Sequence, residues 1–282
     1  MFVFKAAVVG AGTMGGEIAQ AIAAANIPVL LTDVSPDAVE TGLARARALW
    51  ARHVDKGRLS ASDADGLLRL ITPTTGYDGF GDVDFVIEAV PERLELKQEV
   101  FSELDAATPG HAILASNTSA LSISEIADVT LRPEKVVGFH FFYPASVMRL
   151  LEVVEGEFTS AETVTAAVSF AQRIRKTPIR AGELPGFVVN RVLSAAFSEI
   201  WRYQHETGAS LEELDAALPA AKLMPAGPFA LMDTLGLDTV LHVAEFMEES
   251  YGERFFVHPQ LRAHVANGDL GTKTGKGYYP HA

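Results

Sequence analysis

The stretch "VVGAGTMGGEIAQAIAAANIPVLLTDVSP", residues 8–36, constrains the fold of this chain more than any other. An apolar strand runs into Gly10, Gly12 and Gly15, then an alanine-rich helix, a short turn and a second apolar strand. The first glycine permits a tight turn, the second lets the backbone approach a pyrophosphate, and the third lets helix and strand pack closely. The helix N-terminus would then offer free N–H groups to phosphates. Three glycines at this spacing could also be an ordinary turn. With strand, helix and second strand all in place, the unit reads as a βαβ dinucleotide site. Gly10, Gly12, Thr13, Met14 and Gly15 are expected to hold the cofactor. Asp33 lies eighteen residues beyond Gly15, where a carboxylate can accept from both ribose hydroxyls. It would repel a 2′-phosphate, and no basic residue directly follows it, so the expected cofactor is NAD rather than NADP.

Beyond this unit, "DAVETGLARARALWARHVDKGRLSASDADGLLRLI" has helical spacing broken at "KGRLS", which predicts two antiparallel helices in a hairpin. "DVDFVIEAVPE" reads as a strand, "RLELKQEVFSELDAAT" as a helix, and "AILASNTS" as a strand. "SISEIADV" reads as a short helix, followed by "KVVGFHFFYP" and "RLLEVVEG" as strands. Such alternation implies an α/β chain with a Rossmann-type, doubly wound, mostly parallel sheet. At "ELPGF" the texture changes, and from there helix follows helix with Gly and Pro at the joints. We therefore expect residues 1–184 to form a dinucleotide-binding domain with a helical hairpin insertion. Residues 185–282 should form an all-helical domain for substrate and dimerisation. The closing "GDLGTKTGKGYYPHA" should be a loop that packs by its two tyrosines.

Composition narrows the function classes. Hydrophobic residues are 48% of 282 and charged residues 21%, as in soluble globular proteins. A formal charge of −13 makes nucleic acid or an anionic membrane a poor general partner. The absence of cysteine excludes disulfides, thiolate nucleophiles and thiolate metal sites, and no metal is expected. No apolar run is long enough to span a membrane. The N-terminal "MFVFKAAVVGAG" could pass for a signal core, but it lacks a basic leader and its glycines belong to the turn. A cytoplasmic location is the default. In the helical part, "VLSAAFSEIW" and "TVLHVAEFM" carry more apolar surface than about 100 residues can bury alone, which points to a homodimer.

His140, in "VVGFHFFYP", stands among aromatic and β-branched neighbours. Read alone it is either a packed core histidine or the base that a dehydrogenase needs for a hydroxyl proton. Glu152 lies in the next strand, and the loop "PASVM" could bring the two side chains together. A carboxylate there would fix the ring tautomer and stabilise the imidazolium. By itself Glu152 reads rather as a solvent-facing residue of an alternating strand.

"GAGTMG", "DFVIEAVPERLELKQEVFSELD", "ASNTSALSI", "GFHFFYPASVMRLLEVV", "PGFVVNR" and "TGKGYY" together resemble the NAD-dependent L-3-hydroxyacyl-CoA dehydrogenases, including the short bacterial 3-hydroxybutyryl-CoA type. The likeness runs through nearly the whole chain in order and spacing. It implies that His140 is the catalytic base and Glu152 its partner. Ser119 and Asn190 would contact the reacting oxygens, with the substrate in a cleft between the domains. Glu92 and Lys97 would lie by the nicotinamide ribose, and Asn117 is assigned to the cofactor. Asn190 could otherwise be a helix cap. Arg52 and Lys56 are candidates for the phosphates of coenzyme A, or else part of a solvated helix face.

The chain departs from the family at Tyr143, where "HFFYP" replaces "HFFNP". A tyrosine hydroxyl cannot both donate twice and accept twice as an amide does. It leaves room for a short or polar acyl group, for a carrier-protein thioester, or for a free hydroxy acid such as a sugar acid. A third possibility is a non-enzymatic protein of this fold, against which the intact His140 and Glu152 argue.

Overall fold

The strand ahead of the glycine turn, β1 (Ala6–Val9), lies inside an eight-stranded sheet in the computed structural model, which describes residues 2–281. On one side of it stand β2 (Val29–Thr32) and then β3 (Ile71–Thr74) at the sheet edge. On the other side follow β4 (Phe85–Glu88), β5 (Ile113–Ser116), β6 (Val136–Phe141), β7 (Leu150–Glu155) and β8 (Thr177–Gly182). Every neighbouring pair is parallel except β6 with β7. This is the doubly wound, mostly parallel sheet that the alternating sequence implies.

Helices make the crossovers that parallel strands require. They are α1 (Thr13–Ala23), α2 (Pro36–Asp55) with α3 (Ala61–Leu68), α4 (Leu94–Ala107), α5 (Ile123–Ala127) and α6 (Ala161–Arg173). Ser35, Ser60, Ser122 and Ser160 start α2, α3, α5 and α6, each accepting the N–H three residues on. Such a cap is worth about 1 kcal/mol. Phe170 on α6 packs on Phe85 of β4 with ring centroids 4.5 Å apart, and Phe85 on Phe139 of β6 at 5.1 Å. These rings bury the sheet face beneath the site-bearing strands.

The sequence pattern did not single out β3, α6 or β8, and the helical reading of residues 37–71 runs into the start of β3. The physical reason is shared by the two strands. Each is a sheet edge and each contains a proline, Pro73 or Pro178. Proline lacks the N–H for a second ladder and is tolerated at edges, yet it erases the strand pattern.

The chain divides into two units between Leu184 and Pro185. The second comprises α7 (Val189–Thr207), α8 (Leu211–Ala220), α9 (Pro228–Leu235), α10 (Leu237–Tyr251) and α11 (Pro259–Ala266). Its core gathers Phe197, Trp201, Phe229, Met232, Leu237 and Leu261. Buried Asp233 accepts from the main-chain N–H of Tyr278 at 2.8 Å and of Tyr279 at 2.9 Å, and contacts His281 Nε2 at 2.7 Å. The tail therefore packs by its two tyrosines, Tyr278 edge-on against Phe229 with ring centroids 5.0 Å apart. Among the described residues no helix is long and apolar enough to cross a membrane.

Candidate active site

The chain leaves β1 towards β2 on one side and takes up β4 on the other, so a crevice opens beyond the carboxyl ends of β1 and β4. The three glycines fill it for different reasons. Gly10 has φ +97°, and a Cβ there would stand 2.6 Å from Ala89 O. A Cβ on Gly15 would lie 1.7 Å from Gly10 O. Both positions are glycine because the chain's own packing demands it. A Cβ on Gly12 would meet no atom within 4 Å, so the fold itself does not require glycine there. The open space lies at the N-terminus of α1, which has no side-chain cap. Uncapped N–H groups beside free space suit a diphosphate. Thr13 and Met14 form the first turn of α1, the threonine exposed and the methionine half-buried.

Asp33, just past β2, accepts from Ala11 N at 2.6 Å and from Val34 N at 2.7 Å. Its carboxylate thus pins the middle of the glycine turn, and each oxygen keeps lone pairs for a ligand. Val34, the next residue, is exposed and uncharged.

His140 and Glu152 face each other directly across the β6–β7 ladder. His140 Nδ1 lies 2.7 Å from Glu152 Oε2, with the glutamate fully buried and the histidine 5% exposed. On the other side of the ring, Nε2 is 3.2 Å from Ser119 Oγ. The result is a line of hydroxyl, imidazole and carboxylate. A buried carboxylate accepts from Nδ1–H, which leaves Nε2 as the proton acceptor.

A second network supports Ser119 from below. Lys97 is buried on α4, and its ammonium contacts Glu88 Oε1 at 2.7 Å, Glu92 Oε2 at 3.2 Å and Val90 O at 3.3 Å. Glu92 Oε1 accepts from Thr118 Oγ1 at 2.6 Å and from the N–H groups of Ser119 at 2.8 Å and Ala120 at 3.2 Å. Glu88 accepts further from Ser116 Oγ at 2.6 Å and Val90 N at 2.7 Å. Burial pushes the Glu88 carboxyl upward, and the Lys97 ammonium beside it opposes that shift. Asn117 Oδ1 accepts from Phe141 N at 2.9 Å, tying the end of β5 to the end of β6. Its amide NH₂ adds donors at the same place.

The remaining sequence candidates are dispersed. Arg52 and Lys56 stand exposed at the end of α2, four residues apart and so neighbours on one helix face. Asn190 belongs to the second unit, half-buried in the first turn of α7. The N-cap of that helix is Val188, so Asn190 is not its cap. Tyr143 lies in the loop after β6 with 61% of its surface exposed. Four polar residues around the site had no place in the sequence reading: Glu88, Thr118, Glu17 and Lys176. For Glu88 and Glu17 the visible signal is a charge inside an otherwise apolar element, as in "FVIEAV" and "MGGEIAQ"; Thr118 and Lys176 lie in polar stretches and leave none.

Comparison with known proteins identifies the family. The family profile for the 3-hydroxyacyl-CoA dehydrogenase NAD binding domain matches residues 5–184, and that for its C-terminal domain residues 186–281. The chain is 40% identical over 275 residues to the probable 3-hydroxybutyryl-CoA dehydrogenase of Bacillus subtilis, covering 97% of this chain and 96% of the relative. It is also 40% identical over 282 residues to the fatty acid oxidation complex subunit alpha of Pseudomonas savastanoi, but spans only 38% of that subunit. The crystal structure of (S)-3-hydroxybutyryl-CoA dehydrogenase from Ralstonia eutropha superposes with a TM-score of 0.95 at 37% identity, covering all of both chains.

The position of Asp33 yields a test of cofactor choice. Asp33→Asn keeps an acceptor for Ala11 N but removes a charge that would repel a 2′-phosphate. The preference for NADH over NADPH in kcat/KM should fall by about ten-fold. Equal use of the two dinucleotides by the unaltered protein would contradict the placement of Asp33.

Proposed function

The chain belongs to the 3-hydroxyacyl-CoA dehydrogenase family, and on that premise we propose how its residues perform the reaction and which acyl groups it takes. The activity is NAD-dependent interconversion of a 3-hydroxyacyl thioester and the 3-oxoacyl thioester. The observation that carries our reading is the line from Ser119 Oγ through His140 to buried Glu152. His140 Nε2 takes the proton of the substrate hydroxyl, and Glu152 holds the ring tautomer and balances the imidazolium that forms. NAD, when bound, supplies the hydride acceptor. Ser119 and Asn190 act as neutral hydrogen-bonding groups toward the reacting oxygens. Glu92 and Lys97 serve the nicotinamide ribose side. Gly10, Gly12, Thr13, Met14, Gly15 and Asn117 complete the dinucleotide site. In the reverse direction His140 returns its proton to the oxygen of the reduced carbonyl.

Arg52 and Lys56 are proposed to meet coenzyme A phosphates, since two adjacent cations on an acidic protein make a local anion site. The relatives named for 3-hydroxybutyryl-CoA support a short acyl group as substrate, and Tyr143 supports a short or polar one. The proposal includes a homodimer formed through the helical unit, and a cytoplasmic location.

Oxidation of NADH with acetoacetyl-CoA tests the activity directly. Failure with this thioester and turnover of a free 3-oxo acid would replace the thioester by a hydroxy acid. His140→Ala or Glu152→Gln should lower kcat by about 100-fold or more while NADH binding changes little. Undiminished turnover by the His140 variant would end the assignment of the base.

Tyr143 gives a second measurement. If its ring occupies acyl space, Tyr143→Asn should raise kcat/KM for acetoacetyl-CoA. Tyr143→Phe should lower it for the natural substrate by about 1–2 kcal/mol, the worth of a neutral hydrogen bond. An Asn variant that is worse on every thioester would overturn this. For the dimer, light scattering at micromolar concentration should give twice the 30.2 kDa chain mass, and a monomer would contradict it.

A further inference from the structure

The loop from Phe142 to Arg149 joins the strand of His140 to the strand of Glu152, and two buried charges hold its main chain. Glu17, on α1, accepts at Oε2 from Ser146 N at 3.0 Å and Ser146 Oγ at 3.1 Å. Lys176, just ahead of β8, donates from Nζ to Met148 O at 2.8 Å and to Ala145 O. Each of the two charged residues is only 8% exposed. Removing a charge from water is unfavourable unless directed hydrogen bonds offset it. Burial accordingly pulls the Lys176 ammonium below its ordinary range, with the Glu17 charge opposing.

A loop that only had to connect two strands would not need an anion and a cation to fix Ala145, Ser146 and Met148. What the clamp immobilises is a set of side chains facing outward. Tyr143, Val147 and Met148 are large and exposed, while Ala145 between them is buried. The loop therefore presents apolar surface to solvent on a backbone that buried charges keep rigid, beginning three residues after His140. Glu17 also lies two residues beyond Gly15, on the helix whose N-terminus suits the diphosphate.

We propose that Glu17 and Lys176 are positioning residues that fix the 143–148 loop, so that Tyr143, Val147 and Met148 form one defined surface for the acyl group and set acyl preference. Neither residue touches the reacting atoms. The inference rests on the thioester reading above. It deepens that reading by naming what determines selectivity among thioesters.

The test compares Glu17→Ala and Lys176→Met with Glu17→Gln and Lys176→Arg, which keep an acceptor and donors. Kinetics are measured with NADH on acetoacetyl-CoA and on 3-oxooctanoyl-CoA. The first pair should raise KM for acetoacetyl-CoA by about ten-fold and shift the ratio of kcat/KM between the two thioesters by about five-fold, with kcat and the KM for NADH within about three-fold. The second pair should restore most of both. Unchanged ratios, or a uniform fall in kcat on both thioesters, would overturn the proposal. Hydrogen exchange supplies a readout free of activity. Amides of residues 142–149 should exchange about ten-fold faster in Lys176→Met while those of β6 and β7 keep their protection. Unaltered loop exchange would also overturn it. If Lys176→Met does not fold, Ser146→Ala removes one donor to Glu17 at a half-buried loop position and should show the same changes at smaller amplitude. A wild-type protein inactive on both thioesters would overturn the proposed function instead, and loop exchange then decides the clamp alone.

Discussion

The antiparallel pairing of β6 with β7 interrupts an otherwise parallel sheet, and it sets His140 directly opposite Glu152. A parallel partner would have needed a long crossover, whereas a reversal needs only the loop from Phe142 to Arg149. Cross-strand neighbours stand close enough for the ring and carboxylate to touch without any further adjustment. Side-chain direction alternates along a strand, so a slip of one residue would send Glu152 to the opposite sheet face. The carboxylate is fully buried. Its interaction with His140 Nδ1 offsets part of the cost of its burial, and the same interaction fixes the orientation of the ring.

Around that pair further buried charges gather near the ends of the strands, some of them carried by the flanking helices. The interior is aromatic and aliphatic, with Phe85, Phe139 and Phe170 in mutual contact. At the strand ends, Lys97 links Glu88 to Glu92, and Glu92 holds the main chain of Ser119. On the other flank Glu17 and Lys176 hold the loop after His140. Each charge is matched by several hydrogen bonds, as burial demands. Loops that must be irregular enough to carry chemistry are thereby tied by hydrogen bonds to the elements beside them. Precision of about an ångström at a reacting group is worth orders of magnitude in rate, which is reason enough for the expense in buried charge.

Reading from residues alone reached most of the local structure. The glycine turn, the strands at Ala6 and Phe85, the helix hairpin broken near Lys56 and the change of texture near Pro185 all leave local patterns. The two edge strands escaped because a proline-bearing edge strand looks like a loop when its neighbour is unknown. For the site, residue type and spacing brought out Asp33 and offered His140 as a candidate base, whereas Glu152 and Ser119 were assigned through the family resemblance. Neither could say that Asp33 grips Ala11 N, or that Asn117 Oδ1 holds Phe141 N.

What the sequence by itself determined is what acts over short range: the βαβ turn, the alternation that makes the sheet, and the residue types that can move a proton. Spacing along one helix or across one hairpin is periodic, so it can be read before folding. Only the tertiary structure decided that Gly12 faces open space while Gly10 and Gly15 face the chain itself. It alone placed Glu88 beneath Lys97, and brought Glu17 to Ser146 across 129 positions. Contacts at such separations carry no period. They exist because the sheet, once assembled, brings the carboxyl ends of distant strands to one edge, and polar groups buried there must find each other.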